Sequence, residues 1–180
     1  MISNLSPFPH LTTKRLVLRE INLADAPLIH KLRSDEVTNA LINRENSGGI
    51  GDARLFIDRS INNFKRNEGI YWVICFENAS DLIGTVGYWN FDFPSETAEI
   101  GYELLAGFRG QGIMSEVLPK VINFGFEKMK LKSITAFTTE PNTPSVKLLE
   151  KFGFSLFSSG YDNTDQPVPG MLKYILTSPL

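Results

Sequence analysis

Phe108-Arg109-Gly110-Gln111-Gly112-Ile113-Met114 lies between an apolar strand and a helix. Two glycines one residue apart let the backbone come close to a ligand, because neither carries a Cβ. The helix expected from about Ser115 adds unpaired N–H groups and the positive end of its dipole. Together they make an anion site suited to a pyrophosphate. Two familiar cradles fit poorly. A Walker loop needs Gly-Lys-Ser/Thr, and Gly112 is followed by Ile113-Met114-Ser115, with no lysine for the β/γ-phosphates. A dinucleotide fingerprint needs a third small residue and a ribose-binding acid near the end of the next strand. Here Ser115 stands third, and the stretch Ser133 to Thr139 carries no acid before Glu140. On local pattern alone, a strand-to-helix turn needing a positive φ explains the glycine pair as well as a cradle does.

Upstream, Lys14 to Arg19 alternates Leu16/Leu18 against Arg15/Val17/Arg19, which predicts a half-buried strand. Asn22 caps a helix expected over about Leu23 to Arg33, with Asp25 at its third position and Ile21 placed to staple it. Ser47-Gly48-Gly49-Ile50-Gly51 interrupts regular structure. A second helix, over about Asp52 to Lys65, buries Phe56, Ile57, Ile61 and Phe64. Ile70 to Glu77 and Asp81 to Trp89 read as a hairpin across Asn78-Ala79-Ser80, the first of them apolar on both faces. Thr97 to Leu105 leads into the glycine loop.

Beyond the loop, a helix over about Ser115 to Met129 carries Leu118, Ile122, Phe126 and Met129 on one face. Ser133 to Thr139 is a strand. Thr143 and Pro144 open a short helix that Gly153 closes, with Thr143 as the expected cap. Strands over Phe154 to Ser158 and Met171 to Thr177 follow, separated by the polar loop Gly160 to Gly170 with Asp162 and Asp165. The order β-α-α-β-β-β-α-β-α-β-β predicts one α/β domain over residues 1–180, with a mixed sheet of about six to seven strands and helices on both faces.

Composition agrees with a globular chain: 180 residues, 42% hydrophobic and 21% charged, enough to bury a substantial core. A net charge of −2 offers no general attraction to nucleic acid or an anionic membrane, and neither is expected as a partner. The single cysteine, Cys75, sits in the apolar run Ile70 to Phe76 and reads as a small core residue. His10 and His30 stand far apart with no cysteine pair, so no metal site is expected. No lysine or arginine precedes Lys14 and no apolar h-region is present, so the expectation is a cytoplasmic protein. A monomer or a homodimer fits equally well.

Along Thr97 to Leu105, Ala98, Ile100, Tyr102 and Leu104 share an apolar face, while Glu99, Gly101, Glu103 and Leu105 share the other. Two carboxylates and a glycine on one face of an interior strand suit a cleft wall, and equally a solvated face.

From Ala98 to Phe154 the chain resembles the GNAT superfamily of acyl-CoA-dependent N-acetyltransferases. The branch it resembles most is that of the ribosomal-protein N-terminal acetylases, the Rim type. The resemblance runs through Ala98-Glu99-Ile100-Gly101-Tyr102-Glu103-Leu104 and Arg109-Gly110-Gln111-Gly112-Ile113-Met114-Ser115-Glu116. It continues in Glu140-Pro141-Asn142-Thr143-Pro144-Ser145 and Leu148-Leu149-Glu150-Lys151-Phe152-Gly153-Phe154, and Leu11 to Arg19 is similar to the branch's first strand. The family loop is Gln/Arg-x-x-Gly-x-Gly/Ala; Arg109 and Gly112 match it, and Met114 replaces the small residue. Past Gly153, where Rim-type enzymes continue with Glu-Gly and a basic residue, the chain reads Phe154-Ser155-Leu156-Phe157-Ser158.

The resemblance implies acetyl-CoA as co-substrate and an amine as acceptor. The backbone N–H groups from Arg109 to Met114 (Arg109, Gly110, Gln111, Gly112, Ile113, Met114) would bind the pyrophosphate. The backbone of Glu103, Leu104 and Leu105, on a strand splayed from its neighbour, would meet the pantetheine arm and the thioester. Asn142 matches the family's asparagine beside the pantetheine, and Ser145 the group that protonates the departing thiolate. Glu99 or Glu103, acting through water, would take the amine's proton. The segment Ile42 to Gly51 and the loop Gly160 to Gly170 would border the acceptor, a peptide or protein N-terminus first and a small amino compound second. Two alternatives remain: a non-catalytic CoA-binding module, and an ATP- or dinucleotide-binding protein, against which the missing lysine after Gly112 counts.

Overall fold

The computed structural model describes residues 4–161 and 166–178; Asp162 and Asp165 lie outside the described residues. Eight strands form one sheet. They are β1 (Leu11–Thr12), β2 (Leu16–Glu20), β3 (Ile70–Phe76), β4 (Gly84–Asp92), β5 (Thr97–Leu104), β6 (Ser133–Thr139), β7 (Ser155–Tyr161) and β8 (Pro167–Thr177). Their spatial order is β1-β2-β3-β4-β5-β6-β8-β7, all neighbours antiparallel except β5 and β6. The helices are α1 (Ala26–Arg33), α2 (Glu36–Leu41), α3 (Ile50–Lys65), α4 (Ile113–Asn123) and α5 (Thr143–Lys151).

Helices cover both faces. On one, Ile70, Trp72 and Ile74 of β3 pack with Val117, Leu118 and Val121 of α4 and Leu149 of α5. On the other, Val73 joins Ile29 and Leu32 of α1 and Ala53 and Ile57 of α3. β3 is therefore buried on both sides, as its unbroken apolar run predicts. Trp72 is fully buried, stacks edge-on against Phe124 at 5.3 Å and donates its indole N–H to the Pro9 carbonyl at 2.7 Å.

Several boundaries differ from expectation for local reasons. The Asn22/Asp25 capping box forms, but it opens a 3-10 turn at Leu23–Asp25. The α-helix starts only at Ala26, beside Pro27, which has no N–H to close an α-type bond. α2 was not expected; Asp35 caps it by accepting the Thr38 N–H at 2.8 Å. β7 and β8 extend into the segment expected to be a polar loop, pairing Tyr161 with Pro167. The helix expected over Ser115 to Met129 begins at Ile113 and turns into a π segment over Phe124–Lys128.

One break in the sheet matters most. β5 pairs with β6 only at Thr97–Ser133, Ala98–Ile134 and Glu99–Thr135. Past that point β5 stays with β4 as far as Leu104–Gly84, and β6 stays with β8 as far as Thr139–Met171. The two strands diverge, and their facing edges from Ile100 and Ala136 onward are unpaired with each other.

The π segment contains a tight contact that can be tested. A Cβ on Gly125 would lie 2.7 Å from the Tyr88 hydroxyl, which donates to the Val121 carbonyl at 3.0 Å. Gly125→Ala is expected to destabilise the fold by about 1–3 kcal/mol through overpacking. Tyr88→Phe is expected to cost about 1 kcal/mol through the lost buried bond. Denaturant unfolding of both single variants and the double variant should be non-additive, the double losing less than the sum, since removing the hydroxyl relieves the methyl's clash.

Candidate active site

The divergence of β5 and β6 opens a cleft of about 1020 Å³. At one end it is bounded by Gly110, Gly112, Ile113, Met114 and Ser115. In its middle lie Ile100 to Leu104 of β5, Ala136 to Thr138 of β6, and Asn142, Pro144 and Ser145. The far end is lined by Arg33, Arg44, Phe56, Tyr71 and Trp89.

At the near end, Gly110 and Gly112 have φ of +74° and +73°, left-handed values that disfavour any side chain. A Cβ at either position would meet nothing within 4 Å, so both backbones face open space. Glu116 is the first residue to bond back into α4, to the Gly112 carbonyl at 3.1 Å. The N–H groups from Gly112 to Ser115 therefore stand ahead of the helical ladder. These features fit a bound pyrophosphate.

The long side chains of the loop are engaged with the protein. Gln111 donates its amide to the Gly107 carbonyl at 2.8 Å. Arg109 donates to Asp35 at 2.9 Å, to the Thr38 hydroxyl at 2.7 Å and to the Leu104 carbonyl at 3.2 Å. Its N–H closes a turn on Ala106. Both residues thus brace the cradle. Leu105 departs from expectation: its N–H goes to the Ile83 carbonyl at 3.0 Å, its side chain is buried beneath α1 and α3, and it does not line the cleft.

In the middle of the cleft, the Ser145 and Tyr102 hydroxyls are 3.0 Å apart. Burial pushes the Tyr102 phenol up to about 12, so it stays protonated and able to donate. Asn142, rather than Thr143, caps α5, accepting the Ser145 N–H at 3.4 Å. Thr138 is among the residues lining the cleft; it is 1% exposed, and its hydroxyl is buried with no hydrogen-bond partner. A buried unsatisfied hydroxyl is costly, and a polar arm lying between β5 and β6 would satisfy it.

The two carboxylates of β5 share a face, as expected, but differ in surroundings. Glu103 takes a bidentate ion pair from Arg44, at 2.6 and 2.7 Å, which occupies both its oxygens. Glu99 is nearly buried and accepts from the Asn90 amide at 2.8 Å. Between them the Trp89 indole lies against Gly101, where a Cβ would come within 2.2 Å of the ring.

Of the segments expected at the acceptor, Ile42 and Arg44 line the cleft, while no described residue of 160–170 does. The sequence reading does not single out Tyr102, Thr138 or Arg33, nor the pairing of Arg44 with Glu103. Cys75 is buried, and its thiol is pushed up first by that burial. Among the described residues no cluster of His, Cys, Asp or Glu is arranged to hold a metal, and no helix is long and apolar enough to cross a membrane.

Residues 15–155 match the acetyltransferase (GNAT) domain, and the chain belongs to that family. It is an acetyltransferase. It is 35% identical over 147 residues to the uncharacterized N-acetyltransferase YoaA of Bacillus subtilis (strain 168), covering 82% of this chain and 83% of that protein. The fold matches the ribosomal-protein-S5-alanine acetyltransferase of Vibrio fischeri with a TM-score of 0.79 at 22% identity, over 94% of this chain and 96% of that one. It also matches RimL, a ribosomal L7/L12 alpha-N-protein acetyltransferase solved with coenzyme A. There the TM-score is 0.76 at 19% identity, over 94% of this chain and 98% of that one.

The cradle is tied to the sheet edge through Glu116. Its carboxylate accepts from the Thr13 hydroxyl and, at 2.7–2.9 Å, from the side chain and N–H of Arg15; Arg15 also reaches the Gln111 carbonyl at 3.4 Å. The Thr13 hydroxyl, followed by Arg15, holds the carboxyl at about 2, below the ordinary 4.5. A carboxylate with a depressed folded pKa stabilises fully above its unfolded pKa and loses that contribution as pH falls through the folded one. Glu116→Gln should lower the thermal midpoint at pH 7, and its gap to wild type should close between pH 4.5 and 2. Thermal unfolding across that range measures it; an undiminished gap at pH 2 would point to packing instead of charge.

Proposed function

We propose that this chain transfers the acetyl group of acetyl-CoA to a primary amine of low pKa, a peptide or protein N-terminus first and a small amino compound second. The observation carrying this reading is the unpaired stretch of β5 and β6 that ends in the positive-φ glycine cradle. RimL, whose fold this chain shares, was solved with coenzyme A. Acetyl-CoA supplies the thioester. In this reading the N–H groups of Gly110 to Met114 bind its pyrophosphate, and the facing strand edges, including Glu103, Leu104 and the Thr138 hydroxyl, bind the arm. Asn142 and Ser145 flank the thioester.

Each proton then has a carrier. Ser145 donates its hydroxyl proton to the departing thiolate, and Tyr102, kept neutral by burial, donates in turn toward the Ser145 oxygen. Glu99 accepts the amine's proton through water. Glu103 is the weaker candidate for that task, since Arg44 already holds both its oxygens; its role is to fix Arg44 beside the acceptor.

A base working through water suits an amine that gives up its proton readily. An α-amino group has a pKa of about 7.7–8.0 against about 10.4 for lysine, so at neutral pH roughly a tenth of the former is already neutral. The ribosomal-protein acetyltransferases among the structural neighbours support the same preference.

A paired experiment separates binding from chemistry. Gly112→Asp puts bulk and negative charge where the phosphates sit, and acetyl-CoA affinity by calorimetry should fall below detection. Ser145→Ala should keep that affinity and lose roughly 10²–10⁴-fold in kcat. Equal loss of both in Ser145→Ala would make it a binding or capping residue. Acceptor profiling then compares peptides with free N-termini, N-terminally blocked lysine peptides and small amines. Free N-termini should react fastest, and turnover of the blocked lysine peptides alone would overturn the acceptor assignment.

A further inference from the structure

Arg33, in the last turn of α1, lines the far end of the cleft with its guanidinium over the Phe56 ring, 4.2 Å from the centroid. Among the described residues it makes no ion pair and no side-chain hydrogen bond. The nearby carboxylate, Glu103, is already held at both oxygens by Arg44. Arg33 is half-buried, and burial, followed by repulsion from Arg44, lowers its pKa from the ordinary value; Arg59 adds to that repulsion. It still carries its proton, as arginine does throughout proteins. Arg33 and Arg44 line this part of the cleft with the carboxylates Glu99 and Glu103; Arg44 holds both oxygens of Glu103, and the Asn90 amide donates to Glu99.

Tyr71 and Glu103 offset part of the repulsion on Arg33, but none of the described residues accepts a hydrogen bond from the guanidinium, whose donors are left at the cleft. Stacking on Phe56 accounts for the packing of the plane but leaves the N–H donors at its edge unused. An anion entering the cleft would supply what the protein does not. The guanidinium fork suits a carboxylate, which it can grip with two parallel bonds. Phe56, Tyr71 and Trp89 wall the same end, so such a group would bind in a partly water-excluded space where the attraction is strengthened.

We propose that the acceptor is an amine that also carries a carboxylate, and that Arg33 binds that carboxylate while the amine points along β5 toward Ser145. This inference rests on the acetyl-transfer reading above and names its substrate class. The carboxylate has two possible sources, an acidic side chain close to a peptide's N-terminus or the α-carboxylate of a free amino acid.

Thiol release from acetyl-CoA, followed with matched acceptor pairs, tests it. One pair is a set of peptides with Asp or Glu near a free N-terminus against their Asn or Gln counterparts. The other is free amino acids against their amides. In wild type, the charged member of at least one pair should have a kcat/KM about ten- to a hundredfold higher, mostly through KM. That preference should vanish in Arg33→Ala and be partly retained in Arg33→Lys, with acetyl-CoA affinity unchanged in both. If Arg33→Ala does not fold, the wild-type pairs and Arg33→Lys still decide. Equal turnover within both pairs overturns the inference and leaves acetyl transfer standing. A preference that survives in Arg33→Ala overturns the role of Arg33. If acetyl-CoA binds yet no acceptor of either charge is acetylated, the transfer reading fails, and the inference with it.

Discussion

The rest of the molecule depends on three parallel pairings between β5 and β6 and on their ending at Glu99 and Thr135. Each strand has a stronger partner on its other side: β5 follows β4 to Leu104, and β6 follows β8 to Thr139. Because sheets twist, two half-sheets that stop bonding to each other separate progressively. The result is a cleft whose walls are polypeptide edges with unmet hydrogen-bonding capacity, inside a core that otherwise satisfies its polar groups. The lone unsatisfied hydroxyl among the described buried side chains belongs to Thr138, a residue that borders this gap. A ligand that completes the sheet is what such a gap is chemically suited to hold.

Charged pairs around the gap act on geometry more than on stability. The Arg44–Glu103 pair is largely buried, with side chains 17% and 9% exposed. For such a pair the desolvation cost cancels much of the Coulombic attraction. What it does provide is a fixed Arg44 at the cleft, further held by the Asn39 amide oxygen at 2.8 Å. Arg19 and Asp25 form a similar fork, at 2.7 and 2.9 Å, that pins the start of α1 to β2. α1 in turn carries Arg33 to the cleft.

The sheet and most helices were legible because their signals are local: alternation in β2, an apolar run in β3, a capping box at Asn22, and glycines where φ must be positive. The positive φ of Gly110 and Gly112 is legible for the same reason, and the shared face of Glu99 and Glu103 follows from strand geometry. What was hidden depends on contacts distant in sequence. Tyr102 alternates with Ile100 and Leu104 and reads as core, yet its hydroxyl meets Ser145, 43 residues on. Arg33 sits where a helix's last turn ordinarily carries a cation for its dipole, so nothing marks it as a cleft residue. Strand geometry offers Glu103 as a catalytic candidate beside Glu99, but Arg44, 59 residues away in sequence, takes both its oxygens.

The segment that sequence patterning left without structure turns out to bridge the gap. α2 is only six residues long, too short to announce itself by periodicity and too short to persist alone. It is held from both sides of the divergence. On the β6 side, the Thr139 hydroxyl donates to the Leu41 carbonyl at 2.6 Å. On the β5 side, Arg109 bonds Asp35 and Thr38, and Arg44, three residues past the helix, clamps Glu103. Where direct strand-to-strand bonds are missing, a side-chain clip through α2 takes their place. The same clip joins the two ends of the cleft, since Arg109 belongs to the glycine loop and Arg44 lines the opposite end. A short helix with few contacts of its own thus sets the width of the site, and its stability is borrowed from the strands that it spans.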